Sequence, residues 1–328
     1  MSFIQNIQQR LLGNVLYKFS LIFCSIYVVL FYGNNIECNI LFYLFISILL
    51  SIGIAGLGYV MNDIKDFKDD LQNNKPNLFN KFSKSQPVLL VVLFVLLSIF
   101  PWLYLPTDKY TFYLLVIEFL LFFVYASPPF RLKEKGFLGI ITDALYAQVV
   151  PSLLAVYTFS KISNTILNVK LIVLYSAWLL LVGIRNIIKH QVEDFDNDKN
   201  TKTKTFVTIY GIEYSKKISL KYLFPIEFIL FTSLLITIKT PYFIALLGYI
   251  LYTTILFIKR NKTTEIDLFY FINTRIFNEF YEIHLPIILL VCFCFSNAIF
   301  IFILGFNLLI FSPIYLSYLK GFLNKYSI

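Results

Sequence analysis

The sequence predicts an all-α, polytopic membrane helix bundle of about nine transmembrane helices. Three observations carry this: a lipid-like composition, apolar runs of membrane-spanning length, and cations segregated to alternate loops. Of 328 residues 58% are apolar, about 190, only 14% are charged, and mean hydropathy is +0.74. Soluble domains run near half apolar and a quarter charged. A spanning helix uses about 20 apolar residues, so roughly nine can be supplied. With 12 Gly and no two-residue alternation over ten-residue blocks, an outer-membrane barrel is disfavoured.

The apolar runs fall at 15–33, 40–61, 87–105, 110–127, 138–158, 169–188, 219–237 and 241–258. A last stretch, 283–318, is long for one span and short for two. It reads as one tilted helix with an extension or as a pair broken near Ser296-Asn297, giving nine spans or ten. The first run follows a polar dozen residues and precedes no small-residue cleavage site, so it reads as a retained span. No Gly/Ser linker interrupts the chain, so 1–328 reads as a single domain.

Segments 62–86, 128–137, 189–218 and 259–282 are long and charged, and each follows an even-numbered span. They therefore share one face, which with the N-terminal tail and Arg185 holds about 22 of the 28 Lys and Arg. Only Lys109, Lys161, Lys170 and Lys239 fall in the opposite loops. The positive-inside rule places the N-terminus and the long loops in the cytoplasm, in the inner membrane if the cell is bacterial. The net charge of +9 is thereby explained by the bilayer, and no nucleic-acid partner is expected. No obligate protein partner is evident. Cys24, Cys38, Cys292 and Cys294 form no CxxC pair, and neither a disulfide nor a metal–thiolate site is expected.

Two acidic clusters stand out. Asn62, Asp63, Asp66, Asp69 and Asp70 follow the second span, and Asn62, Asp66 and Asp70 share a helical face at i, i+4 and i+8. Glu193, Asp194, Asp196 and Asp198 follow the sixth, with Asp194 and Asp198 again four apart. Extending that row backwards adds His190 and Asn186. Carboxylates at a helix C-terminus oppose the dipole and repel one another. A divalent cation between them relieves both effects, and oxygen-only ligands suit Mg²⁺.

With these residues in hand, the chain resembles the UbiA superfamily of intramembrane prenyltransferases. The family's NDxxDxxxD motif is matched by Asn62, Asp63, Asp66 and Asp70, and its DxxxD motif by Asp194 and Asp198. Between them lie Tyr125, Pro128-Pro129 and Arg131-Leu132-Lys133, then Gly136, as often in the family. The resemblance covers about residues 15–260. It departs at Lys75-Pro76-Asn77, where members carry Arg-Pro, and at Lys202-Thr203-Lys204-Thr205, where a Gly is usual.

The resemblance implies nine helices around a cavity open to the bilayer, capped by both motifs. It implies Mg²⁺ held by Asn62, Asp63, Asp66, Asp70, Asp194 and Asp198 and bridging an isoprenyl diphosphate, with Asp66, Asp70, Asp194, Asp198 and Tyr125 as the catalytic set. Lys75, Arg131, Lys133 and Lys204 are the candidates for further phosphate contacts. Tyr125 and neighbouring aromatics would face the carbocation. His190, Asn186 and Asp143 are candidates for the cavity or acceptor site. Glu118, Asp143, Arg185 and Glu227 also lie in or near apolar spans, where an ionisable group usually lines a cavity or pairs. His284 reads as an interface residue, and 278–282 as a polar helix start.

Three functions remain open at this point. The first is Mg²⁺-dependent prenyl transfer to a small acceptor, either an aromatic ring or a phosphorylated sugar. The second ends the same ionisation in cyclisation. The third, a transporter with a divalent-ion gate, requires polar residues at mid-membrane, whereas these acids cluster at its surface.

Overall fold

The computed structural model describes residues 13–33, 36, 39–72, 77, 79, 86–238, 242–261 and 267–326, and among these it contains helices and no strand. We number the helices α1 Gly13–Phe31, α2 Ile40–Gln72, α3 Gln86–Ile99, α4 Lys109–Ala126, α5 Phe137–Ile162, α6 Val169–Glu193, α7 Ile212–Thr237, α8 Tyr242–Asn261, α9 Leu268–Cys294, α10 Ile299–Ile310 and α11 Ser312–Tyr326. Among the described residues six of them (α2, α4, α5, α6, α7, α9) are long and apolar enough to cross a bilayer, and the pair α10–α11, bent by 64°, makes a seventh. The remaining expected spans appear as shorter apolar helices, Phe19–Phe31, Val88–Leu103 and Leu246–Ile255. Large apolar side chains such as Leu96, Phe112, Leu120, Ile236 and Leu309 cover the outside, as lipid requires.

Of the two readings of 283–318 the structure takes the broken pair: the chain breaks at 295–298, and Asn297 Oδ1 accepts from Ile299 N at 3.0 Å to start α10. One expectation is corrected. The segment 259–282 is not all loop, because α9 begins at Leu268, with Asp267 as its N-cap.

Local chemistry explains where the helices start and stop. At the start of α4, Asp108 accepts from Tyr110 N (2.9 Å) and Thr111 N (3.0 Å), while Thr111 Oγ1 accepts from Asp108 N at 2.8 Å, a reciprocal capping box. Lys161 (2.5 Å) and Tyr157 (2.7 Å) also reach this carboxylate and join α4 to α5 on the face opposite the acidic motifs. Partial desolvation pushes the Asp108 carboxyl up, but its bonds from Lys161, Tyr157 and the backbone outweigh it and hold the group well below the usual range. At its other end α4 stops before Pro128-Pro129, which cannot continue the backbone ladder. Of the four π segments among the described residues, Leu145–Val149, Ser219–Leu223 and Phe280–His284 each end two residues before a proline (Pro151, Pro225 and Pro286), whereas Ile272–Asn278 does not. A proline lacks the N–H and crowds the carbonyl four residues back, so a locally widened turn accommodates it.

Close approach of helices depends on two glycines. A Cβ on Gly53 would fall 2.5 Å from Ser98 N, and one on Gly183 would fall 2.6 Å from Ala144 Cα. The first lets α3 pack antiparallel on α2; the second seats α6 on α5. Since α2 has 33 residues, it is about 50 Å long and outruns the roughly 30 Å hydrocarbon core. Its last turns thus carry the first acidic motif out of the membrane.

Candidate active site

A cavity of about 490 Å³ opens between α2, α4, α5 and α6. Asn62, Asp63, Asp66 and Asp70 from the end of α2 line it together with His190 from the last turn of α6, and Asp194 and Asp198 just beyond it. Lys133, Asp143, Tyr125 and Glu118 are the other residues singled out in the sequence that line it. The two motifs, more than a hundred residues apart in sequence, therefore meet at one mouth.

Each motif is held by local bonds. Asn77 Nδ2 donates to Asp63 O (2.9 Å) and to Asp70 Oδ2 (2.7 Å), and its Oδ1 accepts from Phe79 N at 3.0 Å. It ties the following loop back onto the end of α2. Lys133 Nζ bonds Asp66, and Arg131 Nη2 lies 3.5 Å from the same carboxylate. Arg131 also pairs with Glu134 and sits at φ +38°, in the turn that brings both cations over α2. In the second motif α6 ends as Asp194 leaves helical geometry, and a short helix, Phe195–Asn200, continues from it. Asp198 N donates to Asp194 O, and Thr203 N to Asp198 O, at 2.9 and 2.8 Å. Glu193 turns away and pairs with Lys189.

Some expected residues stand elsewhere. Asn186 does not line the cavity; its Oδ1 accepts from Arg185 Nη1 (3.1 Å) and Asn278 Nδ2 (3.2 Å). Arg185 itself is fully buried and bonds Glu227 at 2.7 Å and Asn273 and Asn278 at 2.8 Å each, a structural ion pair joining α6, α7 and α9. Arg131 reaches the site through Asp66 rather than as a wall, and Lys204 is exposed outside the lining. Lys75 lies outside the described residues, as does Cys38. His284 packs against the rings of Tyr249 (4.7 Å) and Tyr318 (5.3 Å), between α8, α9 and α11.

Several residues on or beside the wall belong to no motif in the sequence. Asn77 was visible only as part of a departure from the family pattern. Tyr146, three residues from Asp143 and hence on its face, donates to Asp143 Oδ1 at 2.5 Å, and its ring lies 5.0 Å from that of Tyr125. Thr203 and Thr205 line the cavity while Lys202, at φ +58° in the turn before them, and Lys204 are exposed.

Among the described residues no three His, Cys, Asp or Glu side chains stand close enough together to hold a metal by themselves. The donor set nonetheless fits Mg²⁺: it is all oxygen, and this ion commonly uses one or two carboxylates with waters and substrate phosphates rather than a protein cage. The Lys133 ammonium on Asp66 shows that the motif already accepts a cation.

Two acidic helix ends thus meet over one cavity inside a helical membrane bundle. The family model of the UbiA prenyltransferase family matches over residues 20–275, and the chain belongs to that family. Among solved structures, a UbiA homologue from Archaeoglobus fulgidus bound to GPP and Mg²⁺ superposes with a TM-score of 0.58 at 19% identity, over 86% of this chain and 98% of the homologue. A UbiA homologue from Aeropyrum pernix K1 gives 0.59 at 14% identity, over 86% and 98%. A digeranylgeranylglyceryl phosphate synthase gives 0.54 at 17%, over 95% and 98%. At these identities the likeness establishes the fold alone. Among curated proteins none matches.

Proposed function

We propose that this multi-pass membrane protein transfers an isoprenyl group from an allylic isoprenyl diphosphate to a small acceptor, an aromatic ring or a phosphorylated sugar, with its motif loops on the cytoplasmic side. The observation that carries the reading is the convergence of both acidic motifs on the mouth of one cavity whose deeper wall includes Leu50, Ile54, Leu105, Phe122 and Leu154. A polar head fits the mouth and a hydrocarbon tail the interior. Membership of the prenyltransferase family and the GPP and Mg²⁺ bound by the Archaeoglobus homologue support it.

Asn62, Asp63, Asp66, Asp70, Asp194 and Asp198 would hold Mg²⁺, which when bound neutralises charge on the departing diphosphate. Lys133 and Arg131, already beside Asp66, turn to the phosphate oxygens and anchor the leaving group. Tyr125 and Tyr146 present ring faces to the allylic cation left as the C–O bond breaks. The apolar wall keeps water from capturing that cation before the acceptor does.

The test is turnover in detergent with Mg²⁺, an allylic diphosphate and a small-molecule extract as acceptor source. Prenylated product formed only with extract supports transfer. A cyclic hydrocarbon formed without it would replace transfer by cyclisation.

A further inference from the structure

Glu118 lies midway along α4, is fully buried, and lines the cavity well below the acidic cap. Neither of its carboxyl oxygens has a hydrogen-bond partner. Thr158, also buried and also on the wall, has a hydroxyl in the same condition. Ser47 and Ser51 line the same region and spend their protons on their own helix, donating to Tyr43 O and Ser47 O at 2.8 Å each. Below its acidic mouth the wall is mainly apolar, and Glu118, Thr158, Ser47 and Ser51 set polar groups into it beside Leu50, Phe122 and Leu154.

Buried polar groups in proteins are normally paired, and leaving one without a partner is costly. Water can satisfy Glu118 and Thr158; a hydrocarbon chain cannot. Filling this depth with prenyl tail would strip a carboxyl of solvent with nothing in exchange. Glu118 and Tyr125 are two helical turns apart on one face of α4, with Phe122 between them on the wall. Their separation is about 10 Å along the axis, the length of about two extended isoprene units of four carbon–carbon bonds near 1.5 Å each.

We propose that Glu118 limits the prenyl tail this cavity accepts, restricting the donor to allylic diphosphates of about two isoprene units. The inference rests on the prenyl-transfer reading and deepens it by naming the donor class. Glu118 touches the tail end of the donor, remote from the bond that breaks.

The experiment compares donors of one, two, three and four isoprene units on the wild type, Glu118→Gln and Glu118→Leu. The expected wild-type result is a KM for the four-unit donor about tenfold or more above that for the two-unit donor. Glu118→Gln keeps a polar group of the same size and retains that preference. Glu118→Leu keeps the volume, removes the polarity, and brings the two KM values within about threefold. Equal use of two- and four-unit donors by the wild type overturns the proposal, whether or not either variant folds. So does a Glu118→Leu variant that remains active on the two-unit donor with its preference unchanged. Preference by the wild type for a four-unit donor bearing a terminal hydroxyl would also overturn it, since the site would then bind a polar terminus. Failure of every donor to react with any acceptor would instead count against prenyl transfer itself.

Discussion

Asp66 and Asn77 do different work at the mouth of the cavity, and their variants should separate accordingly. Asp66 faces the cavity and two cations, so Asp66→Asn and, on the second motif, Asp194→Asn should each lower kcat/KM by about a hundredfold or more with little change in thermal midpoint. Mg²⁺-dependent diphosphate release at wild-type rate by either variant would sink the site assignment. Asn77 instead links Asp63 O and Asp70 to the loop beyond. Asn77→Ala should destabilise by about 1–3 kcal/mol, read as a lower unfolding temperature, and should weaken Mg²⁺ dependence by freeing Asp70. Asp108 supplies the pH-dependent case. Its carboxyl ionises more readily in the folded chain than in the unfolded one, so its stabilisation is complete above the ordinary Asp value of about 3.9 and is lost as pH falls below it. Asp108→Asn should flatten the acid limb of a plot of unfolding temperature against pH while leaving turnover intact, since Asp108 is remote from the motifs.

At the scale of the element, the π segments are the feature with most consequence. The Leu145–Val149 segment contains Tyr146 and lies between Asp143 and Pro151, all three on the cavity wall. Pro151→Ala permits an ordinary α ladder there, which turns Asp143 and Tyr146 away from Tyr125. We expect turnover to drop by tenfold to a hundredfold with unfolding temperature unchanged or raised. Unchanged turnover would mean that the widened turn serves packing alone. The prolines were legible in the sequence, but the widening was not, because it depends on whether neighbouring helices hold the segment straight. Helix ends were legible to different degrees. The stop at Ala126 follows from two prolines, whereas the start of α9 at Leu268 was obscured by polar residues, Asn273, Arg275, Asn278 and Glu279, that turn inward or pair with one another.

For the whole molecule, the buried Arg185–Glu227 pair and its asparagines join α6, α7 and α9. Glu227→Leu leaves the Arg185 charge buried and unpaired and should destabilise by about 3–5 kcal/mol, whereas Arg185→Leu combined with Glu227→Leu should recover most of it. Equal loss in the single and double variants would argue against a coupled pair. Orientation belongs to this scale as well. Single cysteines at Glu134 and at Lys170, in a background lacking the native cysteines, should label from opposite sides of the membrane, Glu134 from the cytoplasm. Labelling of both from one side would contradict the helix count between them.

Membrane class, the order of the spans and the two acidic motifs were determined by the sequence alone. Hydropathy adds along the chain, and a DxxxD pattern at a helix exit needs only the helical repeat to share a face. Which of those residues meet was decided by tertiary structure. Gly53 and Gly183 set how closely α3 and α6 approach their neighbours; Asn186 was drawn to Arg185 rather than into the cavity; Asn77 closed on Asp70; and Glu118 came to line the cavity with no partner for its carboxyl. Each depends on distances across helices far apart in the chain, and those distances arise only when the bundle packs.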